Sequence, residues 1–206
     1  MDRAAAKCDL IVTHPLAFAG SLVAQKRSLP WASSVLAPMS LMSCMDPPLI
    51  GPAPWLKSLR VLAITATQAL GCRAILLTGV PPAQIGKLPP SVQAFEYLPY
   101  SAVFLHAAAV IHQAGIGTLA QALAAGQPQL IVPVAFDQPD NAQRAAALGV
   151  AGVLPFKKVK AKKLAEALQP LLSDRAYTAR AAEVAATIAG ENPSGTACDC
   201  LEALLR

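Results

Sequence analysis

Residues 110–126 read VIHQAGIGTLAQALAAG, and the reading of the whole chain turns on how this stretch folds. A short apolar run ends in His112. Ala114, Gly115 and Gly117 follow, and apolar residues then recur at helical spacing up to Gly126, a residue suited to closing a helix. The stretch therefore reads as a strand that turns directly into a helix. Small residues at such a turn let another group approach the backbone closely. The first turn of a helix also offers unbonded N–H groups and a positive partial charge. That combination suits a phosphate or diphosphate, with His112 adding a donor and Thr118 a hydroxyl. Close packing of helix on strand is the competing explanation for the small residues.

The flanking sequence supplies the fold. RAILLTG (73–79), AFEYLP (94–99), PQLIVPV (128–134) and VAGVLPF (150–156) are apolar runs of strand length. Helical patterns fall at about 56–70, 100–107, 138–149, 160–173, 175–189 and 194–205. Upstream, DLIVTH (9–14), a helix from Pro15 to Arg27 and WASSVLA (31–37) form a β-α-β unit. A proline-rich stretch, 38–55, then serves as a linker. Apolar strands alternating with helices imply an α/β protein whose parallel, Rossmann-like sheet is covered by helices on both faces. Ligands of such sheets bind at the carboxyl ends of the strands, which is where His112 to Thr118 fall.

A second segment at the same edge has a matching chemistry. PVAFDQPDNA (133–142) follows the next strand, and its Asp137 and Gln138 supply an acceptor and a mixed amide suited to adjacent sugar hydroxyls. N-capping of the next helix would account for Asp137 but leaves Gln138 unexplained.

Composition narrows the class. With 206 residues, 54% of them hydrophobic and 14% charged, the chain can bury a core and is not a disordered segment. The net charge of +5 is partly local, because Lys157, Lys158, Lys160, Lys162 and Lys163 lie within seven residues. That run reads as a solvated helix start, with peripheral contact to an anionic membrane as the second reading. It lacks interleaved aromatics, so nucleic acid is not an expected partner. The five cysteines form no C-x-x-C pair and have no histidine cluster beside them, so free thiols are expected and a metal site is not. Neither a secretory leader nor a spanning helix is legible, which makes the cytoplasm the expected location.

HQAGIGTLAQALAAGQPQLIVPVAFDQPDNAQRAAALGV (112–150) resembles the donor-binding half of nucleotide-sugar glycosyltransferases of the two-Rossmann, GT-B architecture. The similar group is that of the sterol, antibiotic and plant UDP-glycosyltransferases. Their pattern runs H-x-G-G-x-G-T, then A-L-x-A-G-x-P, then P-x-x-x-D-Q-x-x-N-A. Weaker similarity extends over residues 71–206. The resemblance implies that His112 contacts the donor diphosphate and that Gly115, Ile116, Gly117 and Thr118 hold it. It implies that Asp137 and Gln138 hold the transferred sugar and that Tyr97 and Leu98 pack on the nucleobase. Two departures stand out: Ala114 replaces a glycine, its methyl crowding the loop, and Ala120 replaces the ribose-binding glutamate of the plant enzymes.

The resemblance also implies an organisation. Residues 1–55 correspond to a remnant of the acceptor-binding domain, and 56–206 to the donor-binding domain. The early part of the first domain and the first, central strand of the second have no counterpart here. DLIVTH or WASSVLA is therefore expected to pair beside a donor-domain strand, since an unpaired central edge is costly. The implied reaction moves a sugar from a UDP- or dTDP-sugar to a hydroxyl acceptor, small molecule or lipid, with no metal or other cofactor. It is expected to be weak or absent in this chain alone. No catalytic residue is assigned; His14 is a candidate base only against a structural role before Pro15. Two alternatives remain: a donor-binding subunit whose partner chain supplies the acceptor domain, and a sugar-phosphate epimerase-like protein on the same fold.

Overall fold

The structure is a computed structural model that describes residues 9–13, 18–33, 57–78 and 81–205. His14 and the proline-rich stretch 38–55 lie outside the described residues. The chain divides into two compact units, Met1–Pro48 with Gly190–Arg206, and Leu49–Ala189. The last helix thus groups with the N-terminal segment rather than continuing the unit that begins after the linker.

In the smaller unit, β1 (Ile11–Thr13) and β2 (Trp31–Ser33) pair in parallel, Ile11 opposite Trp31, with α1 (Phe18–Arg27) as the crossover. The expected β-α-β unit is present. Its pairing differs from expectation, however. Among the described residues β1 and β2 form a two-stranded sheet of their own and join no strand of the larger unit. Each strand is three residues long, and its ladder runs to the other strand of the pair. α8 (Pro193–Ala203) starts on Asn192, whose side chain accepts from the Gly195 N–H at 3.1 Å. Proline at its first position has no N–H to leave unbonded. Cys198 and Cys200, on α8, are free and exposed.

Among its described residues the larger unit carries five parallel strands in two sheets: β3 (Ala74–Leu77) with β4 (Val92–Phe95), and β5 (Val110–His112), β6 (Gln129–Ile131) and β7 (Ala151–Val153) in that order. β4 begins two residues before the apolar run AFEYLP, because Val92 to Phe95 match β3 residue for residue and Glu96 already bends away. The strand read at 150–156 likewise stops at Val153. Its remainder forms a 3-10 turn at Phe156–Lys158.

β6 is central to its sheet and buried on both faces. Leu130 and Val132 pack with Ala66 of α2 (Lys57–Ala69) and with Leu164, Leu168 and Leu171 of α6 (Ala161–Ser173). Ile131 points the other way, to a cluster containing Ala114, Leu119 of α4 (Ile116–Ala124), Ala142 and Ala145 of α5 (Gln138–Ala147), and Ala181 of α7 (Arg175–Ala189). Alternation along one strand thus fixes which helices lie on which face. Burial of each leucine, isoleucine or valine among them is worth about 1.5–3 kcal/mol. Among the described residues no helix is long and apolar enough to cross a membrane.

Candidate functional site

Register sets the site. His112 of β5 stands opposite Ile131 of β6, which stands opposite Val153 of β7, so the three strands end level with one another. The loops that leave them share one carboxyl edge.

At the end of β5 the chain turns into α4 through Ala114 and Gly115. Gly115 occupies the N-cap position, and no side chain caps the helix. The N–H groups of Ile116, Gly117 and Thr118 have no acceptor among the described residues; the first bond of the helix runs from the Leu119 N–H to the Gly115 carbonyl at 3.0 Å. Thr118 Oγ1 is also without a partner there. A β-carbon placed on Gly117 would meet nothing within 4 Å, so the first turn is open to an incoming group. Ala114 has φ +67° and is fully buried in the core cluster. Its methyl packs on neighbours instead of obstructing the loop. The consequence of alanine here is backbone strain, on the order of 1–2 kcal/mol.

His112 is 6% exposed, and both ring nitrogens are engaged. Nδ1 accepts from the Ala114 N–H at 3.0 Å, which puts the proton on Nε2, and Nε2 donates to Gln129 Oε1 at 2.9 Å. Burial pulls its pKa below the usual histidine value, and the Gln129 bond opposes that only in part. The imidazole is therefore a neutral strut under the loop. A diphosphate can reach its N–H only by displacing Gln129, whose own Nε2 is buried without a partner.

This has a pH consequence. The folded pKa lies below the unfolded one, so the unfolded chain binds more protons in acid. Stability is full above about pH 6.5 and is lost as pH falls toward the folded value. Protonated Nδ1 would confront the Ala114 N–H with a second donor. Melting temperatures between pH 7.5 and 5 should fall more steeply in the native chain than in His112→Gln. Parallel profiles would remove His112 as the cause.

At the end of β6, Gln138 and Asp137 have separate tasks. Gln138 Oε1 accepts from the Val134 N–H at 2.9 Å and the Ala135 N–H at 3.1 Å, clamping the loop. Its amide nitrogen is left for another acceptor. Asp137 sits at the N-cap of α5 but makes no capping bond. Its Oδ2 accepts from Asn141 Nδ2 at 2.7 Å, and the same nitrogen donates to the Ala114 carbonyl at 3.0 Å. Asn141, fully buried, thus ties the two loops together. Sequence reasoning missed this role, although Asn141 stands in the quoted D-Q-x-x-N-A pattern. It also missed Phe136, which is 66% exposed at φ +57°, an unusual backbone for a bulky residue.

The structure therefore brings His112, Gly115–Thr118, Asp137 and Gln138 to one edge. Tyr97, 75% exposed, and half-buried Leu98 follow β4. They lead into α3 (Tyr100–Val103), beyond which Phe104 packs on Ala122 of α4, in the half remote from Ile116. No described contact joins them to the open turn.

The profile of the family described as "Erythromycin biosynthesis protein CIII-like, C-terminal domain" matches residues 74–204. An O-mycaminosyltylonolide 6-deoxyallosyltransferase of Streptomyces fradiae is 34% identical over 63% of this chain and 30% of its own length. A vancomycin aglycone glucosyltransferase of Amycolatopsis orientalis is 35% identical over 70% of this chain and 35% of its own. The chain thus spans about a third of the length of these curated relatives. Among solved structures, the calicheamicin glycosyltransferase CalG4 aligns at TM-score 0.79 and 19% identity, covering 99% of this chain and 75% of that one. The glycosyltransferase VinC, solved in complex with dTDP, aligns at TM-score 0.77 and 18% identity, covering 99% and 74%. The shared fold is that of GT-B glycosyltransferases.

Proposed function

Because the chain belongs to the Erythromycin biosynthesis protein CIII-like C-terminal family, we propose that its larger unit binds the nucleotide-sugar donor of a glycosyl transfer. In this reading residues 56–206 correspond to the donor-binding domain and 1–55 to part of the acceptor-binding domain. The observation that carries it is the uncapped first turn of α4, open at Gly117 and level with the Asp137–Gln138 loop. Ile116, Gly117 and Thr118 offer N–H groups to a diphosphate through the helix N-terminus. Charge developing on a departing nucleoside diphosphate is stabilised there by donors already in position. Gln138 Nε2 and the second oxygen of Asp137 form a donor–acceptor pair for vicinal sugar hydroxyls. His112 acts beneath the loop, holding it in shape. Tyr97 and Leu98 are the proposed nucleobase contacts. The donor is a UDP- or dTDP-sugar and the acceptor a hydroxyl of a small molecule or lipid; the working location is the cytoplasm. A donor-binding chain completed by a partner's acceptor domain is a second form of the same reading.

Calorimetry with UDP, dTDP and their glucose conjugates tests the assignment. Gln138→Glu keeps an oxygen to clamp Val134 and Ala135 but removes the amide donor. The added carboxylate should repel the diphosphate of both ligands alike, and UDP-glucose should weaken by about 1–3 kcal/mol more than UDP, the cost of one hydrogen bond. Equal loss for UDP and UDP-glucose would mean that Gln138 does not read the sugar.

A further inference from the structure

The lysine run takes on a second meaning once the register is known. β7 ends at Val153, level with His112 across β6. Neighbouring strands lie about 4.8 Å apart, so the loop after β7 leaves the sheet roughly 10 Å from the loop after β5. That loop carries the run. Leu154 is buried, and Phe156 and Val159 pack against the same core, so the segment is pinned from beneath. Bonds from the Lys158 N–H to the Pro155 carbonyl at 2.8 Å, and from Val159 to Phe156 at 3.0 Å, lock its turn. Lys157, Lys158, Lys160, Lys162 and Lys163 are all exposed. Only Lys163 has a carboxylate partner among the described residues, Glu166 at 2.7 Å. The acidic groups of the neighbouring loop and helix are already engaged, Asp137 by Asn141 and Asp140 by Arg144.

A solvated helix start explains why lysines are tolerated there. It does not explain unpaired ammonium groups on a fixed turn, Lys157 and Lys158, and just after it, Lys160, at the edge where the donor site opens. Lysines at the start of α6 are also unfavourable for that helix, whose N-terminal end is itself electropositive. We infer that Lys157, Lys158 and Lys160 form a cationic rim that draws the anionic nucleoside diphosphate toward the open turn of α4. This rests on the donor-site reading above and adds to it a rate-controlling device outside the contact residues. Such fields raise association rates, and their reach shortens from about 30 Å at 0.01 M salt to a few ångströms near 1 M.

Stopped-flow fluorescence with N-methylanthraniloyl-dTDP and the corresponding UDP probe measures the effect on the full chain. Lys157→Gln/Lys158→Gln should slow association about 3–10-fold at 10 mM salt, with dissociation unchanged and the difference gone at 0.5 M. Arg73→Gln/Arg175→Gln removes as much charge from outside the segment and should change the rate less than twofold. Circular dichroism melts check that both variants are folded. An unchanged association rate in the lysine variant would overturn the rim, as would equal effects of the two double variants. A change confined to dissociation would make the lysines direct contacts and also overturn it. If the native chain binds neither probe at any salt, the donor site falls first and the rim with it.

Discussion

Asn141→Asp is expected to destabilise the chain by about 3–5 kcal/mol at pH 7, the range for an uncompensated buried charge. One nitrogen of Asn141 donates both to Asp137 Oδ2 at 2.7 Å and to the Ala114 carbonyl at 3.0 Å. Aspartate would replace that donor with an oxygen, leaving three acceptors facing one another in a buried space. At pH 7 two of them would be anionic. Asn141 Oδ1 is already buried without a partner, so nothing on its far side can absorb the change. Asn141→Leu should cost less, about 1–3 kcal/mol, because it loses the two bonds but also removes that orphaned oxygen. The order distinguishes a tie between loops from simple space filling. Urea unfolding of both variants measures it, and lowering the pH should restore part of the aspartate variant by protonating one carboxyl. An aspartate variant within 1 kcal/mol of the native chain would show that Asn141 does not hold the two loops.

The same residue shows how far the sequence could be read. Its place in the pattern was legible; its partners were not, since Ala114 is 27 positions away and only the closed register of β5 and β6 brings the two together. Local reading served where local forces decide. The strand-to-helix turn at His112, the uncapped start of α4 and the stop at Gly126 all depend on residues a few positions apart. It stops short at side chains whose polar atoms the fold itself already engages. His112 was read as a donor facing a ligand, yet Gln129 and the Ala114 N–H take both of its nitrogens. Gln138 was read as a sugar contact alone, and half of its amide is a loop clamp. The pairing of DLIVTH or WASSVLA with the donor sheet was a long-range inference. It gave way to the nearer solution, each of these strands pairing with the other.

These engaged side chains bear on catalysis. Sugar transfer needs a donor cradle, an acceptor held beside it and a base in hydrogen-bond reach of the acceptor hydroxyl. Holding both reactants can contribute about 7–11 kcal/mol, and a positioned base roughly a further 10²–10⁴-fold in rate. Among the described residues of the loops that leave β5, β6 and β7, no imidazole or carboxylate is free to act as that base. His112 is neutral, buried and bonded at both nitrogens. Asp137 is held by Asn141, and its other oxygen belongs to the proposed sugar pair. Asp140 is held by Arg144 at 2.9 Å. The 206-residue chain is therefore expected to bind nucleotide and yet show no multiple-turnover transfer from radiolabelled UDP- or dTDP-glucose to sterol, phenolic or macrolide acceptors. Slow donor hydrolysis is the activity expected to remain, because water needs no acceptor pocket and the open turn of α4 still stabilises the leaving diphosphate. His112→Gln should leave that hydrolysis within a few fold at pH 7.5, since the imidazole takes no proton in the reaction. Robust transfer by the chain alone would place a base among the residues not described, with His14 the first to test by substitution. A hydrolysis rate that collapses in His112→Gln while nucleotide affinity holds would show instead that the imidazole leaves Gln129 to act on the substrate.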